Sequence, residues 1–157
     1  MNSANQLKIA VLPLARPTFD VPFAEETCRN AWNLLEQLPV EWSGTRDLLF
    51  DAGAVESRLE EMVEDPPDLL LVMQLTFTDA TMTVKLAETL DAPMLFWSFP
   101  EERSGGRLRL NSLCGINLAS HALGKSGIRC DYLHIHPQDE RALTELQARI
   151  SAHHARK

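Results

Sequence analysis

The sequence predicts an α/β protein: a three-layer, doubly wound parallel sheet of five strands, flavodoxin-like or Rossmann-like. Two observations predict this fold class. Short apolar segments alternate with segments of helical periodicity in the order β-α-β-α-β-α-β-α-β-α, which is typical of a parallel sheet with helices on both faces. The strand segments are also apolar almost without interruption, as in strands covered on both sides. Right-handed crossovers then favour the strand order 2-1-3-4-5.

The first strand is predicted at residues 7–13, which read LKIAVLP. Pro22 stands where a first helical position is expected, and Glu25 and Glu26 follow where the helix dipole favours acids. The buried face of this first helix is predicted from helical spacing at Ala24, Cys28, Ala31, Leu35 and Leu38. Between the first and second helices, residues 40–42 and 47–50 could each supply a short strand or its flank.

A second helix is predicted at residues 52–64, with Val55, Leu59 and Met62 facing inward, and Pro66 and Pro67 end it. The segment 68–74 is the clearest strand, and its apolar continuity places it at the sheet centre. Asp79 can cap a third helix. The inner face of that helix is predicted at Ala80, Val84, Ala87 and Leu90.

The remaining elements follow the same alternation. A strand is predicted at 93–97, a helix at 112–125 that ends before Gly127, and a weaker strand at 128–134. Pro137 opens the last helix, which buries Leu143, Leu146 and Ile150. The chain is therefore expected to form a single domain over residues 1–157, with a frayed tail at 151–157.

Composition narrows the function classes. A net charge of −7 over 157 residues argues against nucleic-acid partners and anionic membrane surfaces, which require clustered Lys and Arg. No apolar run approaches the roughly 18 residues of a membrane helix, and the N-terminus lacks the pattern of a signal peptide. We therefore expect a cytoplasmic protein with no membrane partner. Cys28, Cys114 and Cys130 are widely spaced, which predicts isolated, buried or half-buried thiols.

Three loops are selected as candidate ligand sites, because ligands of doubly wound sheets bind outside the carboxyl ends of the strands. They are residues 15–20, 74–79 and the long, charged stretch 99–117. Phe19 and Phe77 lie in the first two loops. The polar and aromatic candidates that these loops would bring together are Arg16, Thr18, Asp20, Gln74, Thr76, Trp97, Glu101 and Arg103. Such a surface suits a polyhydroxylated ligand.

Structural roles are open for the same residues. Arg16 could instead bond loop carbonyls or pair with Asp20, and Gln74 and Thr76 could cap strand ends. The charged residues of the long loop (Glu101, Arg103, Arg107 and Arg109) could form an ion-pair cluster rather than contact a ligand.

The chain displays no complete catalytic set. His134 and His136 are spaced as a possible metal pair but lack a third ligand nearby in the sequence, so surface histidines are favoured. Gly105 and Gly106 lack the spacing of a phosphate loop, which disfavours a nucleotide or flavin protein.

Three strings resemble the N-terminal domain of the L-fucose/L-arabinose isomerase family. They are LPLARPTFD (12–20), MQLTFTDATM (73–82) and PEERSGGRLRLNSLCGINLASH (100–121). The resemblance implies aldose–ketose isomerisation of a monosaccharide through an enediol, with Mn²⁺ bound by later domains. It therefore implies no catalytic residue, metal ligand or cofactor in this chain.

The resemblance also implies that the first domain reaches the active site of a neighbouring subunit. Arg16 matches a family arginine thought to touch sugar, and we add Gln74, Thr76, Phe77 and Trp97 as predicted substrate contacts. Subunit contacts are predicted at Glu101, Arg103, Arg107, Arg109 and Asn111. The expected assembly is a homo-oligomer or a complex with a chain that carries the metal-binding domains. The alternative is a free-standing, non-catalytic carbohydrate-binding or regulatory module of the same fold.

Overall fold

A computed structural model describes residues 6–156 and shows one parallel sheet. The strands are β1 (Lys8–Leu14), β2 (Glu41–Gly44), β3 (Leu69–Gln74), β4 (Met94–Ser98) and β5 (Cys130–His134). The helices are α1 (Val21–Leu35), α2 (Ala52–Met62), α3 (Thr81–Thr89), α4 (Ser112–Lys125) and α5 (Ala142–Ala155). The spatial order is β2-β1-β3-β4-β5 with every pairing parallel, which confirms the predicted topology.

Two apolar clusters, one on each face of the sheet, make the three layers. Helices α1 and α5 cover one face, while α2, α3 and α4 cover the other. Every residue of β3 is buried, as expected for the central strand. Each strand sends alternate side chains into the two clusters, which is why apolar residues run continuously along β1, β3 and β4.

The predicted inward faces of α1 and α2 are confirmed. All five expected residues of α1 and its flank are buried, as are Val55, Leu59 and Met62 of α2. Both helices begin with an aspartate cap: Asp20 accepts from the Phe23 amide at 3.1 Å, and Asp51 accepts from the Ala54 amide at 2.8 Å. Such caps satisfy amides that lack a partner inside the helix.

The structure assigns different roles to the two segments that could each form a short strand. Residues 41–44 form β2 beside β1, whereas 47–50 contribute only a bridge from Leu49 to Leu14. Gly44 ends β2 with φ of +93°, and a Cβ there would lie 2.1 Å from the Val11 carbonyl oxygen. Only glycine fits this close approach of two backbones.

Helix α3 differs from the prediction in its buried face. Met82, Thr83, Leu86 and Leu90 are buried, while Ala80, Val84 and Ala87 are only half-buried. The helix packs between α2 and α4, so its longer side chains reach the sheet and the small ones lie beside the neighbouring helices. Asp79 does supply the first-turn acceptor, since its Oδ1 takes the Thr81 amide at 3.0 Å.

Helix α5 begins later and ends later than predicted. Residues 137–141 form turns. The Asp139 amide donates a hydrogen bond to the His136 carbonyl and the Ala142 amide donates one to the Asp139 carbonyl, both at 3.0 Å. The helix then continues to Ala155, through the first part of the expected frayed tail, and Lys157 lies outside the described residues. His153 lies near the sheet, with Nε2 at 3.7 Å from Asp131 Oδ2.

Two local observations complete the fold. Among residues 6–156, no helix is both long and apolar enough to span a membrane.

Cys28 is buried and Cys130 half-buried, but Cys114 is exposed on α4, so the prediction of buried or half-buried thiols is wrong for Cys114. Burial raises the pKa of the Cys28 thiol to about 12.

Candidate functional site

The loops that follow β1, β3 and β4 meet at the carboxyl edge of the sheet, and we call these three loops the strand-end edge (residues 15–20, 75–80 and 99–111). Backbone groups join them directly. The Arg16 amide donates to Thr76 Oγ1 at 2.8 Å, and the Phe77 amide donates to the Leu110 carbonyl at 2.8 Å. The Asp20 amide donates to the Arg109 carbonyl at 3.1 Å. The three loops selected by the strand-end rule therefore form one surface.

Arg16 is fixed at both ends on this surface. Its backbone amide donates a hydrogen bond to Thr76 Oγ1, and its Nη2 forms an ion pair with Oδ2 of Asp79. Asp20, the partner considered in the sequence, instead accepts from Arg109 Nε at 2.8 Å. Hydrogen bonds from Thr81, assisted by the Arg16 charge, hold the pKa of Asp79 below its usual value. The Arg16 side chain is 38% exposed, so it is accessible to a ligand.

A buried polar layer lies beneath the loops, and Gln74 is its centre. The side chain of Gln74 is fully buried, and its Nε2 donates to the Thr76 carbonyl at 2.9 Å and to Thr78 Oγ1 at 2.8 Å. Ser112 at the start of α4 donates to the Gln74 carbonyl and accepts from the Phe99 amide. Gln74 and Thr76 thus stabilise the loop from below, which is the structural role left open above.

Gly115 allows α4 to lie against this layer, a function that the sequence did not reveal. A Cβ at Gly115 would lie 2.9 Å from both Cγ and Nε2 of Gln74. Because that amide is buried and bonded twice, it has little freedom to move away. Glycine in a helix is otherwise unfavourable, and that cost could have signalled a close contact.

We expect Gly115→Ala to lower the free energy of unfolding by about 1–3 kcal/mol, the usual cost of overpacking. Gly124→Ala is the matched control on the same helix, since a Cβ added there would have nothing within 4 Å. That control should instead gain about 0.5–1 kcal/mol from helix propensity. Urea unfolding measures both, and equal effects of the two variants would contradict the proposed contact.

An aromatic pair lies beside Arg16 on the strand-end edge. The rings of Phe19 and Phe77 have centroids 6.3 Å apart, and the Cζ of Arg107 lies 5.4 Å from the Phe19 centroid. Phe19 and Phe77 are half-buried, so part of each ring stays accessible. The Phe19 amide donates to the Arg16 carbonyl at 3.2 Å and the Arg16 amide donates to Thr76, the neighbour of Phe77, so Arg16 and both rings lie on two joined loops.

Trp97 is placed elsewhere. It is fully buried in the cluster under α1 and α5, its Nε1 donates to the Ile135 carbonyl at 2.9 Å, and its ring lies 4.9 Å from that of Phe99. A ligand on the surface of this structure does not reach its ring. The position at the carboxyl end of the predicted strand suggested a site, but the alternation of β4 directs this side chain into the core.

The long loop is held by Glu101. Its carboxylate accepts from three backbone amides, those of Arg109 at 2.6 Å, Leu110 at 2.9 Å and Asn111 at 2.8 Å. Asn111 has φ of +53° and turns the chain into α4. Arg103, Arg107 and Arg109 remain exposed at the surface. The loop is thus a fixed platform, and its role in subunit contact stays a prediction.

A cleft of about 510 Å³ opens at the end of this loop. Its lining residues are Phe23, Pro100, Glu101, Glu102, Ser104, Arg109 and His136. The Cζ of Arg109 lies 3.8 Å from the Phe23 centroid, so the guanidinium is held by the ring as well as by Asp20. Five of the seven lining residues are polar or charged, and the arginine among them is already paired with Asp20.

His134 and His136, which the sequence favours as surface histidines over a metal pair, have separate local partners. His134 Nδ1 lies 2.7 Å from Ser98 Oγ, and the Gln138 amide donates to His136 Nδ1 at 3.1 Å. Burial lowers the pKa of His134. Within the described range 6–156, no three His, Cys, Asp or Glu side chains are grouped so that they could hold a metal ion.

Comparison with known proteins identifies the family to which this chain is similar. The sequence profile of the fucose/sulfoquinovose isomerase N-terminal domain matches residues 10–153. A sulfoquinovose isomerase of Alkalicoccus urumqiensis is 34% identical over 139 residues, which cover 88% of this chain and 31% of that protein. Sulfoquinovose isomerases of Priestia aryabhattai and Clostridium sp. (strain MSTE9) are 29% and 27% identical. The chain spans about a third of the length of these curated relatives.

Proposed function

Since the chain belongs to the fucose/sulfoquinovose isomerase family as its N-terminal domain, we propose that it contributes substrate contacts and subunit contacts to an aldose–ketose isomerase. One observation carries the proposal: the family match covers the strand-end edge, where an ordered, accessible Arg16 lies beside the aromatic pair. Guanidinium N–H groups and aromatic faces are suitable partners for sugar hydroxyls and sugar rings.

The proposed chemistry is divided between this chain and the rest of the enzyme. A divalent metal, expected to be Mn²⁺, would be held by the remaining domains and would polarise the sugar oxygens during isomerisation. The side chains described above would bind and orient the sugar, and none of them is assigned a proton-transfer role. Arg16 and Phe77 are the contacts that we favour, with Gln74 and Thr76 supporting them from below.

A sulfonated monosaccharide is the substrate that we propose. The resemblance of the sequence strings left the sugar open, whereas the curated relatives are named for sulfoquinovose. Arg16 and Arg109 each have a carboxylate partner, whereas Arg107 has no ion pair among the described residues. Arg103 likewise has no ion pair among those residues, but Arg107 lies over the Phe19 ring, so Arg107 is the cation that we favour for a sulfonate.

We also propose that the long loop contacts another subunit, either a second copy or a chain bearing the metal-binding domains. The contact residues are the predicted set Glu101, Arg103, Arg107, Arg109 and Asn111. The loop is preorganised by the three hydrogen bonds that backbone amides donate to the Glu101 carboxylate, and it leaves its arginines exposed. Both features suit a polar interface. The sugar would then bind where two subunits meet.

Reconstitution tests the proposed function. The chain is joined to, or mixed with, the remainder of a relative's length in the presence of Mn²⁺, and turnover of sulfoquinovose and of L-fucose is measured. We expect Arg16→Ala to raise KM about tenfold, the size of one lost charge-assisted hydrogen bond. Arg129→Ala, an exposed arginine before β5 at the opposite edge of the sheet, is the control and should change nothing.

Other results would change the conclusion. Isomerisation by the chain alone with Mn²⁺ would contradict the division of chemistry. Failure to form any complex with the remaining domains would favour the non-catalytic module. Preferred turnover of L-fucose would favour a neutral sugar as the substrate.

A further inference from the structure

We propose that Asp79 is a positioning residue for Arg16, which holds the guanidinium in one orientation before a sugar binds. This inference rests on the proposed function, because it concerns how that same contact is prepared. The two residues are 63 positions apart in the sequence and meet only where the loops after β1 and β3 come together.

Asp79 uses its two carboxylate oxygens for different tasks. Oδ1 accepts from the Thr81 amide at 3.0 Å and so is attached to the first residue of α3. Oδ2 pairs with Arg16 Nη2. The guanidinium is thereby connected through one short side chain to a helix that packs between α2 and α4. A carboxylate fixed in this way is a rigid partner.

Arg16 is restrained at two points. Thr76 Oγ1 fixes its backbone amide at 2.8 Å, and Asp79 fixes the far end of the side chain. A free arginine loses much conformational entropy when it binds a ligand, but an arginine that is already ordered has lost it on folding. Nε and Nη1 of Arg16 make no hydrogen bond within the described part of the chain, so they remain available as donors.

Stability alone gives a weak reason for this pair. The Arg16 and Asp79 side chains are 38% and 50% exposed, and ion pairs at such positions contribute little to folding. The pair is also neutral as a whole, which favours hydrogen bonding to sugar hydroxyls over attraction of an anion. Both points agree with a role in orienting donors rather than in holding the fold.

The substitution Asp79→Asn separates the two tasks. Asparagine keeps the size of the side chain and an oxygen for the Thr81 amide, but it removes the charge that pairs with Arg16. The matched control is Asp65→Asn, which breaks the exposed pair with Lys8 (2.9 Å) at the start of β1, at the other edge of the sheet.

In the reconstituted enzyme, we expect Asp79→Asn to raise KM about fivefold to tenfold, with kcat changed less than twofold. The same substitution on an Arg16→Ala background should cause no further change, because Asp79 acts through Arg16. Asp65→Asn should leave KM unaltered. Independent, additive effects of Asp79→Asn and Arg16→Ala would overturn the proposal, as would an unchanged KM in Asp79→Asn when Arg16→Ala raises it.

A second measurement does not depend on activity. In the 157-residue chain labelled with ¹⁵N, rotation of the Arg16 guanidinium about its Nε–Cζ bond should be slow in the parent and in Asp65→Asn but faster in Asp79→Asn. Equal rotation in all three would overturn the positioning role. An Arg16→Ala variant with unchanged KM would instead refute the proposed function, and the rotation rates would still decide whether Asp79 orders Arg16.

Discussion

Trp97→Ala should lower the free energy of unfolding by about 3–5 kcal/mol, the usual loss for a large aromatic removed from a core. The side chain is fully buried, contacts the Phe99 ring and donates to the Ile135 carbonyl, so alanine leaves both a cavity and an unpaired acceptor. A loss of this size is a large part of the stability of a domain of this length. Urea unfolding followed by far-ultraviolet circular dichroism measures it.

The control for Trp97 is Trp42→Ala. Trp42 is half-buried on the edge strand β2, where its ring packs against Trp32. The loss there should be smaller, because part of that ring is already in water. Trp97 was predicted as a sugar contact, and an unchanged stability of Trp97→Ala together with a raised KM would support that role over the core role seen in the structure.

Glu101→Ala has the second largest expected effect. The variant leaves the amides of Arg109, Leu110 and Asn111 without their carboxylate acceptor, and we expect a loss of about 2–3 kcal/mol of stability. Because the Leu110 carbonyl accepts from the Phe77 amide, loosening this loop should also disturb the surface next to Arg16. Hydrogen exchange measures the effect amide by amide.

Glu102→Ala is the matched control for Glu101, since the adjacent Glu102 is exposed and accepts no amide hydrogen bond among the described residues. Its exchange pattern should match that of the parent chain. Protection of the Arg109, Leu110 and Asn111 amides should fall in Glu101→Ala and persist in Glu102→Ala. Equal protection in both variants would contradict the assignment of Glu101 as the residue that holds the loop.

The sequence predicted the fold accurately because the relevant signals are local. Continuous apolar runs identified β1, β3 and β4, and helical spacing identified the buried faces of α1 and α2. The bounds of a strand and the buried face of a helix were harder to predict where the local sequence signal was weak. The second strand needed its pairing with β1 to be placed, and α3 needed its neighbours to decide which side it buries.

The meeting of the three candidate loops was predicted, but the contacts between their side chains were not. The strand-end rule selected the three loops that do meet, and the resemblance selected Arg16. No local pattern indicated that Ser112 and Gly115 of α4 pack against Gln74, because Ser112 alone is already 38 positions from its partner. The unfavourable cost of glycine in a helix was the available signal, and it identifies no partner.

The sequence by itself therefore determined the order of elements, the topology of the sheet and the edge at which the three candidate loops meet, since periodicity, caps and chain direction are properties of neighbouring residues. The tertiary structure decided which side chains share that edge. Arg16 pairs with Asp79 rather than with the nearby Asp20, and Trp97 lies in the core rather than at the surface. Both outcomes depend on how distant segments pack, because a side chain's partner is set by its neighbours in space and not by its neighbours along the chain.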